Sequence, residues 1–170
     1  YTSGRSKRIT FYSTEIAKKL GLSSIDIGKV ELAGMLHDIG MIGVSDDVLY
    51  KIDDLTQEEY DEIKEHINYS VKILEDIKQL KDVVEIIKCH HENYDGSGYP
   101  YGMHGEELPE MVRIISAADA LDAMNSNRCY RKHCDRDYII GEFRKGAGKQ
   151  FDAGVAQAVV ALIEEGRITV

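Results

Sequence analysis

Two adjacent histidines, His90-His91, close a run of apolar residues, and the carboxylate of Glu92 follows at once. Beyond it lie Asn93-Tyr94-Asp95 and a Gly-x-Gly-Tyr-Pro turn from Gly96 to Pro100. Adjacent imidazoles are metal-ligand chemistry, and a glycine-rich segment lets backbone come close to something bound. The pair alone is ambiguous; its weight depends on what else the chain supplies. His37-Asp38, His66 and Asp119 each fall in or beside an apolar helical stripe, where an unpaired polar group is expensive. Any one of them reads as a core residue satisfied by a local hydrogen bond. Together with His90-His91 they make the inventory of a two-metal site, in which an aspartate bridges ions about 3.5–4 Å apart and a shared hydroxide attacks. The mixed nitrogen and oxygen donors suit Fe or Mn as well as Zn.

The elements that must carry these residues are helical. Ile9, Tyr12, Ile16 and Leu20 recur at three- and four-residue steps, and Gly21 is a stop. Extended backwards, the same stripe lands on Arg5 and then Tyr1. A second helix opens at Ser23, with Asp26 three residues on, and should end near Gly40 after delivering His37-Asp38. A loop with a short helical turn at Asp46–Leu49 follows. Thr56-Gln57-Glu58-Glu59 is a capping box for one long helix to about Ile77, with His66 on the face of Ile63, Ile67, Val71 and Leu74. Val83, Val84, Ile86 and Ile87 mark the helix that ends at His90-His91. The loop to about Pro109 is long enough to be either functional or disordered. A helix from Pro109 carries Asp119 at its middle, then comes the basic run Arg128-Cys129-Tyr130-Arg131-Lys132, and helices over roughly Asp135–Lys145 and Asp152–Glu165 finish the chain. The fold class is all-α, a bundle of about seven helices with a metal site in its core.

Composition narrows the partners. A net charge of −9 argues against DNA, whose binding relies on Lys and Arg neutralising phosphates, but leaves room for a small anion in a locally positive pocket. No stretch is apolar enough for a membrane span. Cys89, Cys129 and Cys134 are an odd number without CxxC spacing, as expected of reduced thiols in the cytoplasm. The chain opens at Tyr1 in helix-like sequence, so residues 1–170 are expected to be one domain of a longer multidomain protein.

The ordered motifs resemble those of the HD-GYP domain, a branch of the HD superfamily of metal-dependent phosphohydrolases. The resemblance rests on His37-Asp38-Ile39-Gly40, His66 in a Glu-rich helix, His90 to Pro100, Arg113 to Ala123, and Asn127 to Arg131. It implies an HD-type bundle with a binuclear, sometimes trinuclear, centre that hydrolyses cyclic di-GMP to pGpG or GMP in the bacterial cytoplasm. By that resemblance the metal ligands are His37, Asp38, His66, His90, His91 and Asp119, with Asp38 bridging two Fe or Mn ions and His37, Asp38 and Asp119 carrying the catalysis. Gly98, Tyr99 and Pro100 become a wall of the substrate site, and Arg128 and Arg131 its contacts to phosphate or guanine. Signalling partners such as diguanylate cyclase or receiver domains, and a homodimer, are also expected. Glu92 and Asp95 either orient ligands or cap the loop, and His104 and His133 are surface residues.

Two positions depart from the family pattern. Arg5 stands where the family places a histidine ligand in a Gly-His-Ser segment, and a guanidinium has no lone pair to give a metal. Met41 replaces the lysine of His-Asp-Ile-Gly-Lys, and losing such an electrophilic contact costs about 10²–10³ in rate. Tyr1 stands where trinuclear members offer a carboxylate, which speaks against a third ion. The metal position of His66, His90 and His91 is complete, and the other retains only His37-Asp38 and Asp119. Two functions follow: an active phosphodiesterase with weakened activity, or a catalytically degenerate domain that senses a nucleotide or docks a partner.

Overall fold

Helix α1 (Thr2–Lys19) buries Ile9, Tyr12, Ile16 and Ala17 along one face. It ends at Gly21, whose φ of 79° turns the chain into a conformation that side-chain-bearing residues rarely adopt. The computed structural model describes residues 2–126 and 135–170. Tyr1, Asn127, Arg128, Cys129, Tyr130, Arg131, Lys132, His133 and Cys134 lie outside the described residues, so the expectations for them have no structural counterpart here.

Helix α2 (Ser24–Leu36) opens on Ser23, whose side chain accepts from the Asp26 N–H, and it closes with His37 as its C-cap. It stops short of the expected Gly40, because Ile39–Gly43 winds into a 3-10 turn. Helix α3 is the short Asp46–Leu49 turn. The Thr56 capping box forms with both of its hydrogen bonds. The long helix expected after it is two helices, α4 (Gln57–Lys64) and α5 (His66–Leu74). The chain tightens at Glu65, whose N–H reaches back only three residues to the Glu62 carbonyl at 3.1 Å.

Helix α6 (Lys81–Lys88) packs Val83, Val84, Ile86 and Ile87 inward, and His90 and His91 follow its end. Helix α7 (Glu110–Ser126) is buried on most of its circumference, including Ile114, Ile115, Ala118, Leu121 and Asp122. Helices α8 (Arg136–Gly146) and α9 (Ala153–Glu164) start on Asp135 and Asp152, each accepting from an N–H three residues on. The described residues contain no named strand and only two isolated bridges, Asp95 with His104 and Ala147 with Phe151. The all-α bundle expected from the stripes is what forms.

One contiguous apolar cluster joins α1, α2, α6, α7, α8 and α9. Ile9, Ile16, Ile87, Ile114, Ile115, Leu121 and Leu162 are fully buried in it, each contributing about 1.5–3 kcal/mol by leaving water. No described helix is long and apolar enough to cross a membrane. Helix α7 runs through this core with Asp119 on the side that α1 covers, and the ends of α2, α5 and α6 meet nearby.

Candidate metal centre

His37 and Asp38 come from the end of α2, and the 3-10 turn after them is pressed onto α5. A Cβ at Gly40 would lie 1.9 Å from the His66 carbonyl oxygen, so only glycine permits the approach. The Gly40 N–H donates to Ser70 Oγ at 2.9 Å, which pins the turn beside His66, the first residue of α5. The end of α6 supplies His90 and His91, whose ring centroids are 4.0 Å apart; His66 lies 5.5 Å from His90 and 5.2 Å from His91.

Three of these imidazoles are oriented by one device. Nδ1 of His37 lies 2.9 Å from the Gly34 carbonyl, Nδ1 of His66 2.6 Å from Ile63, and Nδ1 of His90 2.7 Å from Ile87, always three residues back. A carbonyl only accepts, so Nδ1 carries a proton in each, which leaves Nε2 of His66 and His90 to offer a lone pair. Among the described residues, Nε2 of His66 and His90 is buried without a hydrogen-bond partner, while Nε2 of His37 faces Asp38 Oδ2 at 3.0 Å. Such orphaned acceptors are costly unless something binds them. One ligand atom each from Asp38, His66, His90 and His91 lies within 4.8 Å of the others, and among the described residues this is the group that converges as a metal site. Three nitrogens and one carboxylate oxygen fit a divalent transition metal.

The two oxygens of Asp38 face different neighbours. Oδ1 is 3.7 Å from His66 Nε2 and 4.0 Å from His90 Nε2. Oδ2 is 3.0 Å from His37 Nε2 and 3.4 Å from Arg5 Nε. Arg5 also donates from Nη2 to Asp119 Oδ1 in a short contact, and its Nη1 is 3.5 Å from Asp122 Oδ2. One turn along α1, Arg8 donates from Nε and Nη2 to the two oxygens of Asp122 and from Nη2 to Ser126 Oγ. Arg5 and Arg8, three residues apart on α1, thus face Asp119 and Asp122, three apart on α7. Asp122 is fully buried and was not singled out in the sequence; its place one helical turn after Asp119 was the available signal.

Charge is distributed accordingly. Burial works to raise the Asp38 carboxyl, but His37, His90 and Arg5 hold it well below the usual carboxylate range. Burial pushes the His91 imidazole down to about 3 and His90 well below its ordinary value, keeping both neutral and able to donate lone pairs. At His37 burial acts downward too, yet the adjoining Asp38 carboxylate raises it. Burial raises Asp119 while the Arg5 charge opposes the rise. For Arg5, burial disfavours the charge and the three surrounding carboxylates outweigh it.

Gly98-Tyr99-Pro100 forms a flank of the centre. A Cβ at Gly98 would meet the Asn93 nitrogen and the His91 carbonyl oxygen at 2.4 Å, so this glycine lets the loop fold back onto the histidine segment. The Tyr99 N–H donates to that same carbonyl at 3.2 Å, and its ring stacks on His91 with centroids 4.9 Å apart. Lys64 Nζ stands 5.6 Å from the Tyr99 centroid, a cation beside this flank that the sequence reading overlooked; its position two residues before His66 was the only clue. Glu92 and Asp95 both organise the loop rather than touch a ligand side chain. Glu92 is buried and accepts from the N–H groups of Tyr101, Gly102 and Met103. Asp95 accepts from the N–H and hydroxyl of Ser97. His104 is exposed, as expected. Met41 lines a cleft of ≈ 450 Å³ with Arg5, Asp38, Met35, Leu36, Ile39 and Ile42, so the centre opens onto a largely apolar entrance.

A family profile described as an HD domain matches residues 1–155. A 3'3'-cGAMP-specific phosphodiesterase from Vibrio cholerae is 39% identical over 131 residues, covering 77% of this chain and 28% of that protein. A cyclic di-GMP phosphodiesterase from Thermotoga maritima is 34% identical over 166 residues, covering 96% of this chain and 45% of that one. The chain therefore spans less than half the length of either relative. Among solved structures, an HDG"Y"P protein from Bdellovibrio bacteriovorus superposes with a TM-score of 0.75 at 19% identity, over 96% of this chain and 53% of that one. At that identity the likeness is one of fold.

Proposed function

The chain belongs to the HD domain family, in its HD-GYP branch, and from that premise we propose that it is a metal-dependent phosphodiesterase acting on a cyclic dinucleotide, cyclic di-GMP first among them. The observation that carries this reading is the convergence of Asp38, His66, His90 and His91, with the Nε2 atoms of His66 and His90 buried and unpartnered among the described residues. Mn or Fe suits that donor set. When bound, a divalent ion there supplies Lewis-acid polarisation of a phosphodiester and acidifies water at neutral pH.

The chain's own residues do the rest. The i−3 carbonyls lock the tautomers of His37, His66 and His90, so the ligands are organised before anything binds. Asp38 stays ionised and offers one oxygen to each side of the centre. On the Oδ2 side, His37 lies against Asp38 and Asp119 against Arg5, so both stand beside the charged part of the centre. Tyr99, stacked on His91, and Pro100 form one wall for the substrate, and Arg128 and Arg131 are proposed phosphate or base contacts from outside the described residues. The names of the relatives make both cyclic di-GMP and 3'3'-cGAMP candidate substrates.

The test is hydrolysis of each dinucleotide by protein loaded with Mn²⁺ or Fe²⁺ under anaerobic, reducing conditions, with His66→Ala as the inactive control. Absence of turnover in a fully metallated sample would sink the enzyme reading. A second reading, a degenerate domain that binds a nucleotide without cleaving it, is favoured by one observation: Met41 lines the cleft, at the position where the HD-GYP resemblance implies a lysine. Tight nucleotide binding without product, relieved by Arg5→His with Met41→Lys, would decide for it.

A further inference from the structure

Asp38 is arranged as a carboxylate that serves two cations at once. Oδ1 turns toward the His66, His90 and His91 group, and Oδ2 toward His37 and Arg5. On the second side the cation is already part of the chain. The Arg5 guanidinium contacts Asp38, Asp119 and Asp122, three carboxylates brought together by two different elements. It is only 23% exposed and stays charged, and it has no lone pair with which to join a coordination sphere. A divalent ion placed among Asp38 Oδ2, His37 and Asp119 would compete for carboxylates that Arg5 holds and would meet its positive charge at ion-pair distance.

The position is also well supported. Arg8 holds both oxygens of Asp122 from the next turn of α1, so the carboxylate facing Arg5 Nη1 is fixed in place. The stripe that buries Ile9, Tyr12 and Ile16 carries Arg5 at its start, so packing of α1 on α7 itself delivers the guanidinium. Arg5 and Asp38 both line the cleft, so this charge faces it.

We propose that Arg5 takes the place of a second metal ion: the centre binds one divalent ion, on Asp38, His66, His90 and His91, and the guanidinium is the resident cation of the other half. The inference deepens the metal-dependent reading above, and its first readout is stoichiometry rather than turnover. Protein stripped with chelator and returned to excess Mn²⁺ alone is weighed by native mass spectrometry, and the Mn²⁺ paramagnetic resonance spectrum is recorded. The wild type should carry one ion per chain with an uncoupled spectrum. Arg5→Lys should keep one, Arg5→His should take two and show coupled spins, and His91→Ala should carry none. One further arm holds even if Arg5→His fails to fold. Asp119→Asn should still bind one ion, because that residue lies on the occupied guanidinium side. Wild-type protein carrying two ions, or none, overturns the proposal, as does loss of the ion from Asp119→Asn or a folded Arg5→His that still binds one. A wild type with one ion and no hydrolysis of any cyclic dinucleotide leaves this inference standing and overturns the phosphodiesterase reading.

Discussion

Tyr99 lies flat against the His91 imidazole, with centroids 4.9 Å apart and planes 23° from parallel. Among the described residues His91 makes no ring hydrogen bond like those of His37, His66 and His90, so ring contacts with Tyr99, His66 and His90 are what hold its plane. Such a contact is worth about 0.5–1.5 kcal/mol. Tyr99→Ala should therefore weaken Mn²⁺ binding by roughly 2- to 10-fold in calorimetric titration. Tyr99→Phe keeps the stack and should leave the affinity near the wild-type value. Equal weakening in both variants would show that the hydroxyl, not the ring, does the positioning.

Glu92 supports the same loop from beneath. Its carboxylate accepts from three consecutive N–H groups, Tyr101 at 2.6 Å, Gly102 at 3.1 Å and Met103 at 3.2 Å. Hydrogen bonds to a charged acceptor contribute about 1.5–3 kcal/mol, and the amides lose their partner when it is removed. Glu92→Ala should lower unfolding stability by about 2–3 kcal/mol in urea. Hydrogen exchange at residues 101–103 should quicken more than in the α7 core, and unchanged exchange there would rule out this role.

Much of this was readable before the structure. The Ile9, Tyr12, Ile16 stripe placed Arg5 on the inward face of α1, and there it meets Asp38 and Asp119. Side-chain caps at Ser23 and Thr56 marked helix starts correctly because a cap is a local hydrogen bond. What depends on contacts distant in sequence was not readable. The break at Glu65 lies where the 3-10 turn containing Gly40 meets the start of α5, and periodicity alone carries no sign of it. Asp122 looked like one more polar residue on α7 until α1 brought Arg8 to it. Glu92 had two readings in the sequence, and only the folded loop shows its oxygens pointing at backbone amides.

Two glycines should respond oppositely to the same added methyl group. Gly40→Ala would put a Cβ 1.9 Å from the His66 carbonyl oxygen and 2.5 Å from the Ser70 nitrogen, neither of which is the end of a flexible side chain. Overpacking of this kind costs about 1–3 kcal/mol or more, and here it should also displace His66 and reduce metal binding. Gly28, inside α2, has nothing within 4 Å of its Cβ position. Gly28→Ala should stabilise the protein by about 0.5–1 kcal/mol through helix propensity. Thermal melts of the two variants give the comparison directly, and a destabilised Gly28→Ala would contradict the packing described for α2.

The histidine cluster makes the metal-free protein sensitive to acid. Imidazoles of the unfolded chain take up protons near pH 6.5. In the folded protein burial pushes His91 down to about 3 and His90 well below its ordinary value, so between those limits the unfolded chain binds more protons. Stability from these two groups is present above pH 6.5 and is lost as the pH falls. His37 has the opposite sign. Burial acts to lower it, the Asp38 carboxylate raises it, and its contribution is full below pH 6.5 and fades as the pH rises through its folded value. Two depressed groups against one raised group leave a net loss on acidification. The melting temperature of chelator-treated protein should fall from pH 7.5 to pH 5, and His91→Gln should flatten that slope. A melting temperature that rises over the same interval would mean that the cluster is protonated in the folded, metal-free state, and that a bound metal must displace those protons.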